Sequence, residues 1–240
     1  MQRYFAPVVS KHALLSEEDR HHLLDVMRSE VGTPLEIVHE GNVFSAKVTS
    51  IAPLEITVGE LVSRESELPA HLFLAFALLK HGNDDLVLEK GTELGVSRFY
   101  PFISQRTIIR LASEEDREKK QNRANKIVKA AAEQSKRTTI PEVQPILSYR
   151  EILSLPADLK LLAYENKSDD VASLPIALSS LKLGQNCLMV IGPEGGFSEE
   201  EAQEAEQQGF HFVSLGRRIL RAETASLYAA SVFGYHVEGQ

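Results

Sequence analysis

The chain has 240 residues, of which 43% are hydrophobic and 25% charged, the composition of an ordinary soluble globular protein with one or two domains. Its net charge of −8 argues against a protein that coats nucleic acid without specificity. No apolar run approaches the ~18 residues of a membrane span and no signal peptide opens the chain, so we expect a cytoplasmic protein without a membrane partner.

Residues 1–68 predict a small β-barrel domain. One helix is expected between about Ser16 and Met27, with Ser16 as its N-cap. Three short segments rich in strand-forming residues follow, separated by turn residues. They are Pro34 to His39, Val43 to Ile51 and Ile56 to Leu61. The polar stretch 63–69 is typical of a linker.

Strands and helices alternate in residues 72–240. The predicted strands are Leu72 to Leu78, Arg98 to Phe102, Leu159 to Tyr164, Cys187 to Ile191 and Phe210 to Val213. The predicted helices are about Asp84 to Leu94, Glu114 to Ser135, Tyr149 to Leu155 and Glu223 to His236. This alternation favours an α/β domain with an open, mostly parallel sheet covered on both faces. A dinucleotide-binding fold is disfavoured because G-x-G-x-x-G is absent.

The predicted helix from Glu114 to Ser135 has a basic face. From Arg117 to Arg137 the chain carries eight lysines or arginines and two glutamates. At 100° per residue the basic positions on one side are Lys119, Arg123, Lys126, Lys129, Lys136 and Arg137. Such a face fits a solvated helix surface as well as a contact with nucleic-acid phosphates.

Two glycine-bearing loops lie near the carboxyl end of the chain. The apolar strand from Leu188 to Ile191 runs into GPEGG at 192–196, and a second loop opens at Leu215. Loops at the carboxyl ends of strands in an open α/β sheet are where ligands usually bind, and glycines let the backbone approach them. Taken alone, GPEGG is more typical of a simple turn than of a ligand loop.

Two pairs of residues have the spacing of a helix capping box. They are Ser148 with Glu151 and Ser198 with Glu201, so helices should begin at about Tyr149 and Glu199. Gly209 suits the left-handed position just past the end of the second helix.

Cysteine and histidine usage indicates neither redox nor metal chemistry. Cys187 is the only cysteine and lies in an apolar strand, which favours a core position over a catalytic one. The eight histidines are scattered without ligand spacing, so we predict no metal.

Four blocks of this sequence resemble one family, in the same order. They read LLKHGNDDLVLEKGTELGV at Leu78 to Val96, KAAAEQSKR at Lys129 to Arg137, IGPEGGFS at Ile191 to Ser198 and LGRRILRAETA at Leu215 to Ala225. The chain resembles the RsmE family of ribosomal RNA methyltransferases, which belongs to the SPOUT superfamily. The resemblance extends over essentially the whole chain.

The resemblance implies a fold and a cofactor. Residues 1–68 would form a PUA-like RNA-binding barrel, and 72–240 a SPOUT methyltransferase domain. Its C-terminal trefoil knot would hold S-adenosylmethionine, and the enzyme would be a homodimer. On the last helix, Leu227, Ala230 and Phe233 are candidates for the dimer interface, with the monomer core as the alternative. The implied cofactor site comprises Tyr164, Glu165, Ile191, Gly192, Pro193, Glu194, Gly195, Gly196, Leu215, Gly216, Ile219, Leu220, Arg221, Thr224 and Ala225.

The implied reaction is methylation of N3 of a specific uridine in the decoding region of 16S ribosomal RNA, within the assembled small subunit. N3 must lose a proton, and an arginine beside the carbonyl oxygens would stabilise the resulting anion. Arg221 is the first candidate, with Arg217 and Arg218 behind it. Glu223 or a water would accept the proton, unless Glu223 only stabilises the start of the final helix.

RNA contacts are expected from two parts of the chain. In the PUA-like domain they are Arg3, Lys11, Arg20 and Arg28, and from the basic helix onward Lys119, Arg123, Lys126, Lys136 and Arg137. Two other functions remain open. One is a noncatalytic RNA-binding protein that kept the fold. The other is a phosphate- or nucleotide-binding enzyme that uses GPEGG as an anion loop, although Glu194 would repel phosphate.

Overall fold

The computed structural model describes residues 1–62, 66–80, 82–109, 113–164 and 171–239. The chain divides into two compact units. The N-terminal unit contains Met1–Glu67 together with Ala132–Thr139, and the C-terminal unit contains Leu68–Ala131 together with Ile140–Gln240. The short segment 132–139, which the alternation pattern placed in the second domain, therefore belongs to the first unit.

The N-terminal unit is built on a six-stranded sheet. Its strands are β1 (Gln2–Phe5), β2 (Val8–Val9), β3 (His12–Ala13), β4 (Pro34–His39), β5 (Asn42–Ile51) and β6 (Leu54–Leu61), in the order β1-β4-β5-β6-β3-β2. Helix α1 (Glu17–His21) is capped by Ser16 and continues into one π-helical turn at His22–Val26. The helix and the three longer strands confirm the predicted elements. The strands β1 to β3 were not predicted, because they are too short to show a two-residue period.

A buried ion pair ties segment 132–139 to this sheet. Because β1 pairs in parallel with β4, Arg3 stands beside Glu36, and its Nε donates to Glu36 Oε2 at 3.0 Å. Arg3 Nη1 also donates to the backbone oxygen of Arg137 at 3.1 Å. Glu67 accepts from the Arg137 side chain and from the backbone N–H of Thr138. These bonds explain why this segment belongs to the first unit.

The C-terminal unit is built on an eight-stranded sheet whose strand pairs are all parallel. Its strands are β7 (His71–Ala77), β8 (Arg98–Ile103), β9 (Glu142–Val143), β10 (Leu147–Ser148), β11 (Leu159–Ala163), β12 (Ala172–Ser173), β13 (Asn186–Ile191) and β14 (His211–Ser214). Its helices are α2 (Asn83–Glu93), α3 (Glu114–Gln134), α4 (Tyr149–Leu153), α5 (Leu174–Leu178), α6 (Glu199–Gln207) and α7 (Ala222–Glu238). The prediction of an α/β fold with a mostly parallel sheet is confirmed.

Strand β13 lies at the centre of this sheet, between β7 and β11 in the order β10-β8-β7-β13-β11-β14-β12. Alternate side chains enter two hydrophobic layers, with Cys187, Met189 and Ile191 in one and Leu188 and Val190 in the other. Residues of α2, α3, α5 and α7 complete the first layer, and residues of α4 and α6 the second. Because β13 is buried on both faces, it is a rigid support for the glycine-bearing loop that begins at Gly192.

Helix α3 ends before the last two residues of the predicted basic face. Its last residue is Gln134, Lys136 has a left-handed φ of 64°, and the Arg137 N–H donates to Ala132 O at 2.9 Å. This is the Schellman arrangement that closes a helix end. The prediction that Lys136 and Arg137 share one helical face with Lys119 is therefore wrong. In the described ranges, no helix is both long and apolar enough to cross a membrane.

Candidate functional site

A cleft of about 800 Å³ opens at the carboxyl edge of the parallel sheet. It lies where three neighbouring strands end, because Ala163 of β11 is in register with Ile191 of β13 and with Val213 of β14. The ends of parallel strands meet at one edge, where α/β proteins bind ligands. The volume is in the range of pockets that hold small molecules.

The glycine loop, residues 192–198, forms one wall of this cleft. The Gly196 N–H donates to Pro193 O at 2.9 Å, and Gly196 has a φ of +67°, so the loop contains a tight turn. At Gly192 a Cβ atom would lie 2.9 Å from the ring of Phe197, so only glycine fits there. Phe197 in turn packs on Phe102 and Tyr149 in the second hydrophobic layer.

Two neighbouring segments hold the glycine loop from the side. Arg106, which follows β8, donates from Nη1 to Gly195 O at 3.0 Å and to Phe197 O at 3.2 Å. The carboxylate of Glu194 accepts from the backbone N–H of Lys80, which follows β7, at 3.3 Å. Strands β8, β7 and β13 are adjacent in the sheet, so these three segments emerge together.

The capping box at the start of α6 is present, and it also bonds a neighbouring segment. Ser198 and Glu201 bond reciprocally, and Glu201 also accepts from the backbone N–H of Gln105 at 2.8 Å. The Tyr149 hydroxyl donates to the backbone oxygen of Glu201 at 2.8 Å, and burial raises the pKa of Tyr149 well above its ordinary value. The glycine loop is thus anchored firmly at its helical end.

The opposite wall is formed by the α7 loop, residues 215–221, and the first turn of α7. Gly216 has a φ of +112° and donates from its N–H to the Ser214 hydroxyl at 3.2 Å. Arg221 is the N-cap residue of α7, and its carbonyl accepts from the Ala225 N–H at 2.8 Å. Its exposed side chain makes no capping bond, which leaves it to face the cleft.

The lining of the cleft combines both charges with apolar surface. The charged residues are Arg106, Arg218, Arg221, Glu194, Glu199 and Glu223. The apolar ones include Ile191, Val213, Leu215, Leu220 and Ala225. Such a lining can take a ligand that is partly apolar and carries charges of both signs.

Comparison with known proteins assigns the family. The model of the RNA methyltransferase domain matches residues 66–234. Ribosomal RNA small subunit methyltransferase E of Bacillus subtilis strain 168 is 34% identical over 252 residues, which cover 99% of this chain and 98% of that protein. The chain belongs to the RsmE family of ribosomal RNA methyltransferases.

Solved structures agree with this assignment. The RsmE crystal structure from Neisseria gonorrhoeae, bound to S-adenosylmethionine, is 33% identical with a TM-score of 0.84 and covers 96% of each chain. A putative methyltransferase from Legionella pneumophila, in complex with the same cofactor, is 28% identical with a TM-score of 0.86, again over 96% of each chain.

Most residues that the RsmE resemblance assigns to the cofactor line this one cleft. Of those that the structure describes, all do so except Thr224, and Glu165 lies outside the described residues. The candidates for catalysis, Arg221 and Glu223, line it as well, as does Arg218. Residues far apart in the sequence are therefore brought together as the RsmE motifs imply.

Sequence reasoning missed four polar residues of the cleft, Asn83, Arg106, Glu199 and Ser214. Arg106 stands in a polar run directly after β8, a position that could have drawn attention to it. The strand order that places this run beside the glycine loop is not visible in a single sequence.

The predicted RNA contacts are only partly at the surface. Lys11, Arg20, Arg28, Lys119, Arg123 and Lys126 are exposed, and Lys136 is half-buried. Arg3 and Arg137 are 1% and 3% exposed and are bonded to Glu36 and Glu67. The prediction that these two arginines contact phosphates at the surface is therefore wrong. Arg123 is exposed but donates from Nε and Nη2 to Asp85 Oδ2, at 2.9 and 2.6 Å.

Burial in this structure decides two other predictions. Ala230 and Phe233 are fully buried in the first hydrophobic layer, so they are core residues of one chain and not interface residues. Cys187 is also fully buried, and burial raises its pKa to about 12, so the thiol is a core residue. Among the described residues, no group of three or more histidine, cysteine or acidic side chains could hold a metal ion.

Proposed function

We propose that this chain uses S-adenosylmethionine to methylate N3 of a specific uridine in the decoding region of 16S ribosomal RNA. The substrate is the assembled small subunit, and the reaction takes place in the cytoplasm. The observation that carries this proposal is the cleft in which the glycine loop and the α7 loop face each other at three adjacent strand ends. The chain's family and the cofactor in two similar structures support it.

The residues of the cleft suit this cofactor. Gly195 and Gly196 are exposed, and nothing lies within 4 Å of the position of a Cβ at Gly196, so backbone can approach a ligand closely. Apolar side chains such as Ile191 and Leu220 suit the adenine ring. The carboxylates that line the cleft suit a sulfonium and an ammonium group, and Arg218 suits a carboxylate.

When bound, S-adenosylmethionine supplies an electrophilic methyl group on a positively charged sulfur. The residues of the chain must hold the uracil in line with that methyl group and stabilise the charge of the deprotonated base. Arg221 donates to the uracil oxygens on which the negative charge accumulates. Glu223 or a water accepts the N3 proton. Glu223 also lies in the first turn of α7, where an acidic side chain stabilises a helix, so its replacement affects stability as well.

The cofactor is tested by calorimetric titration of the purified protein with S-adenosylmethionine, with ATP and NAD as controls. We expect saturable binding of S-adenosylmethionine alone. A folded protein that binds RNA but none of the three compounds would contradict the enzyme and favour a noncatalytic RNA-binding protein.

The modified atom is tested on small subunits from cells that lack the native methyltransferase. Methylation at N3 removes a Watson–Crick hydrogen-bond donor, so reverse transcription should stop one nucleotide before the modified uridine. Subunits and naked ribosomal RNA are compared as substrates. Methyl transfer without such a stop would exclude N3, and equal rates on both substrates would exclude a requirement for the assembled subunit.

RNA binding is assigned to the exposed basic residues in each unit. In the N-terminal unit they are Lys11, Arg20 and Arg28, and on α3 they are Lys119, Arg123 and Lys126. Each lost phosphate contact should lower the salt dependence of RNA binding by about one unit of slope. Arg28→Glu and Lys126→Glu test the two units separately, because removal of residues 1–68 would also remove the partners of segment 132–139. An unchanged slope would remove that residue from the RNA surface.

The proposed homodimer requires an exposed surface, and α7 has one. Tyr228 and Tyr235 lie seven residues apart on one helical face and are 37% and 86% exposed, and Ile219, in the loop before α7, is 83% exposed. Exposed aromatic and aliphatic side chains of this kind mark protein interfaces. By light scattering, Tyr235→Glu should change the mass from two chains of 26.7 kDa to one, while Gln207→Glu on α6 should not. A wild-type mass of one chain would contradict the dimer.

Two features of the fold are also proposals. We infer that the N-terminal sheet closes into a PUA-like barrel and that the chain after β14 passes through a loop to make a trefoil knot. The last helix, α7, returns to the centre of the sheet, where it contacts α2, β7 and β13. A knotted chain stretched from its ends keeps a shorter contour length than an unknotted chain of equal length, which single-molecule pulling measures.

A further inference from the structure

We propose that Arg106 is a positioning residue that sets the shape of the glycine loop before the methyl donor binds. Only the identity of the donor rests on the function proposed above.

Arg106 fixes two peptide groups of the loop through their carbonyl oxygens. Its Nη1 donates to Gly195 O and Phe197 O, as described above. Each of these peptide groups is also held at its nitrogen, because the Gly196 N–H donates to Pro193 O and the Ser198 N–H to Glu201 Oε2. Both peptide planes are therefore bonded at each end, which fixes their orientation.

The same bonds leave other backbone groups available for a ligand. Among the described residues, no hydrogen-bond partner is found for the N–H groups of Glu194 and Gly195, and both residues are exposed at the cleft. A loop that recognises a ligand through peptide N–H groups needs them aligned in advance. Three glycines in this loop make an unrestrained backbone costly to order.

Arg106 can hold the loop because its own turn is held. The Ser104 N–H donates to Thr107 Oγ1 at 2.9 Å, and both residues are buried. The neighbouring Gln105 N–H donates to Glu201 Oε1, which belongs to the capping box at the end of the glycine loop. The Arg106 backbone is thus fixed relative to the loop that its side chain bonds.

Arg106→Met keeps most of the side-chain stem but removes the donors, and Arg106→Lys keeps one charged group without the planar fork. Arg150→Met is the control, because Arg150 is also exposed and also bonds toward this region, to Glu204 of α6, but does not line the cleft. All variants are compared by amide hydrogen exchange without ligand, by calorimetry with S-adenosylmethionine, and by KM and kcat on small subunits.

We expect Arg106→Met to increase the exchange rate of the Gly196 amide and to weaken cofactor binding about tenfold. The KM for the cofactor should rise more than kcat falls, because binding itself reorders the loop. Arg106→Lys should be intermediate, and Arg150→Met unchanged in all three measurements. A structural role alone would lower thermal stability without changing Gly196 exchange or cofactor affinity, and that outcome overturns the proposal.

If Arg106→Met does not fold, Arg106→Lys decides the question by the same measurements. If wild-type protein does not bind S-adenosylmethionine, the proposed function fails, but Gly196 exchange still tests whether Arg106 orders the loop.

Discussion

The carboxylate of Glu201 accepts the backbone N–H of Gln105 at 2.8 Å, across 96 residues of sequence. Glu201 is 8% exposed and also accepts the Ser198 N–H at 2.9 Å. One side chain therefore caps the N-terminus of α6 and fixes the turn that carries Arg106. The capping box at Ser148 and Glu151 is exposed, and its hydrogen bonds join only these two residues.

This difference predicts unequal effects of the same substitution. Glu201→Ala should lower the free energy of unfolding by about 2–3 kcal/mol, because the buried Ser198 N–H and the Gln105 N–H both lose their acceptor. Glu151→Ala, the matched control, should cost only about 1 kcal/mol. Urea denaturation of both variants measures this, and equal losses would contradict a special role for the bond to Gln105.

Arg221→Ala should lower turnover about 10²-fold and leave cofactor affinity nearly unchanged, because the guanidinium is assigned to the charge on the uracil and not to the ground state of the cofactor. Single-turnover methylation and calorimetry measure the two effects. Arg150→Ala, at an arginine outside the cleft, is the control. Unchanged turnover would remove Arg221 from the mechanism.

Gly192→Ala should be damaging for a steric reason. Its Cβ would approach the Phe197 ring to 2.9 Å, and Phe197 is packed against Phe102 and Tyr149, so we expect a cost of about 1–3 kcal/mol and weaker cofactor binding. At Gly184 a Cβ meets nothing within 4 Å, but φ is +78°, so Gly184→Ala should cost about 1–2 kcal/mol of backbone strain alone. Equal cofactor affinity in the two variants would contradict the steric argument.

The pair Glu67 and Arg137 should make the stability of the N-terminal unit sensitive to acid. Burial would raise the pKa of Glu67, but the hydrogen bonds and charge of Arg137 outweigh it and hold the pKa below its ordinary value of about 4.5. Because the folded-state pKa is the lower one, the stabilisation is complete above about pH 4.5 and is lost as the pH falls through the folded-state pKa.

In Glu67→Gln this acid-dependent part should be reduced, which is measured as a shallower loss of unfolding free energy between pH 5 and about pH 3. Glu142→Gln is the control, since Glu142 forms an exposed pair with Arg98 in the other unit. Identical pH profiles for wild type and Glu67→Gln would show that this carboxylate does not contribute.

The local elements were predictable because their causes are local. Both capping boxes are present, Gly209 has the left-handed φ of +80°, and the longer strands and helices lie within a few residues of their predicted positions. The helix α5 was missed because five residues beginning Leu174-Pro175 are too short to show a helical period. The basic face was extended wrongly to Lys136 and Arg137, because the chain lacks the usual glycine at the end of α3 and Lys136 adopts the left-handed conformation instead.

The sequence by itself determined the alternation of strands and helices, the burial of strand β13 and the four motifs that carry the family resemblance. Only the tertiary structure decided which basic residues are buried, that Ala230 and Phe233 belong to the core, and that Arg106 bonds the glycine loop. The first group depends on periodicity and turn chemistry within a few residues. The second depends on which strands are neighbours in each sheet, and the pairing of β1 with β4 and of β13 with β7 is set by contacts between residues far apart in the chain.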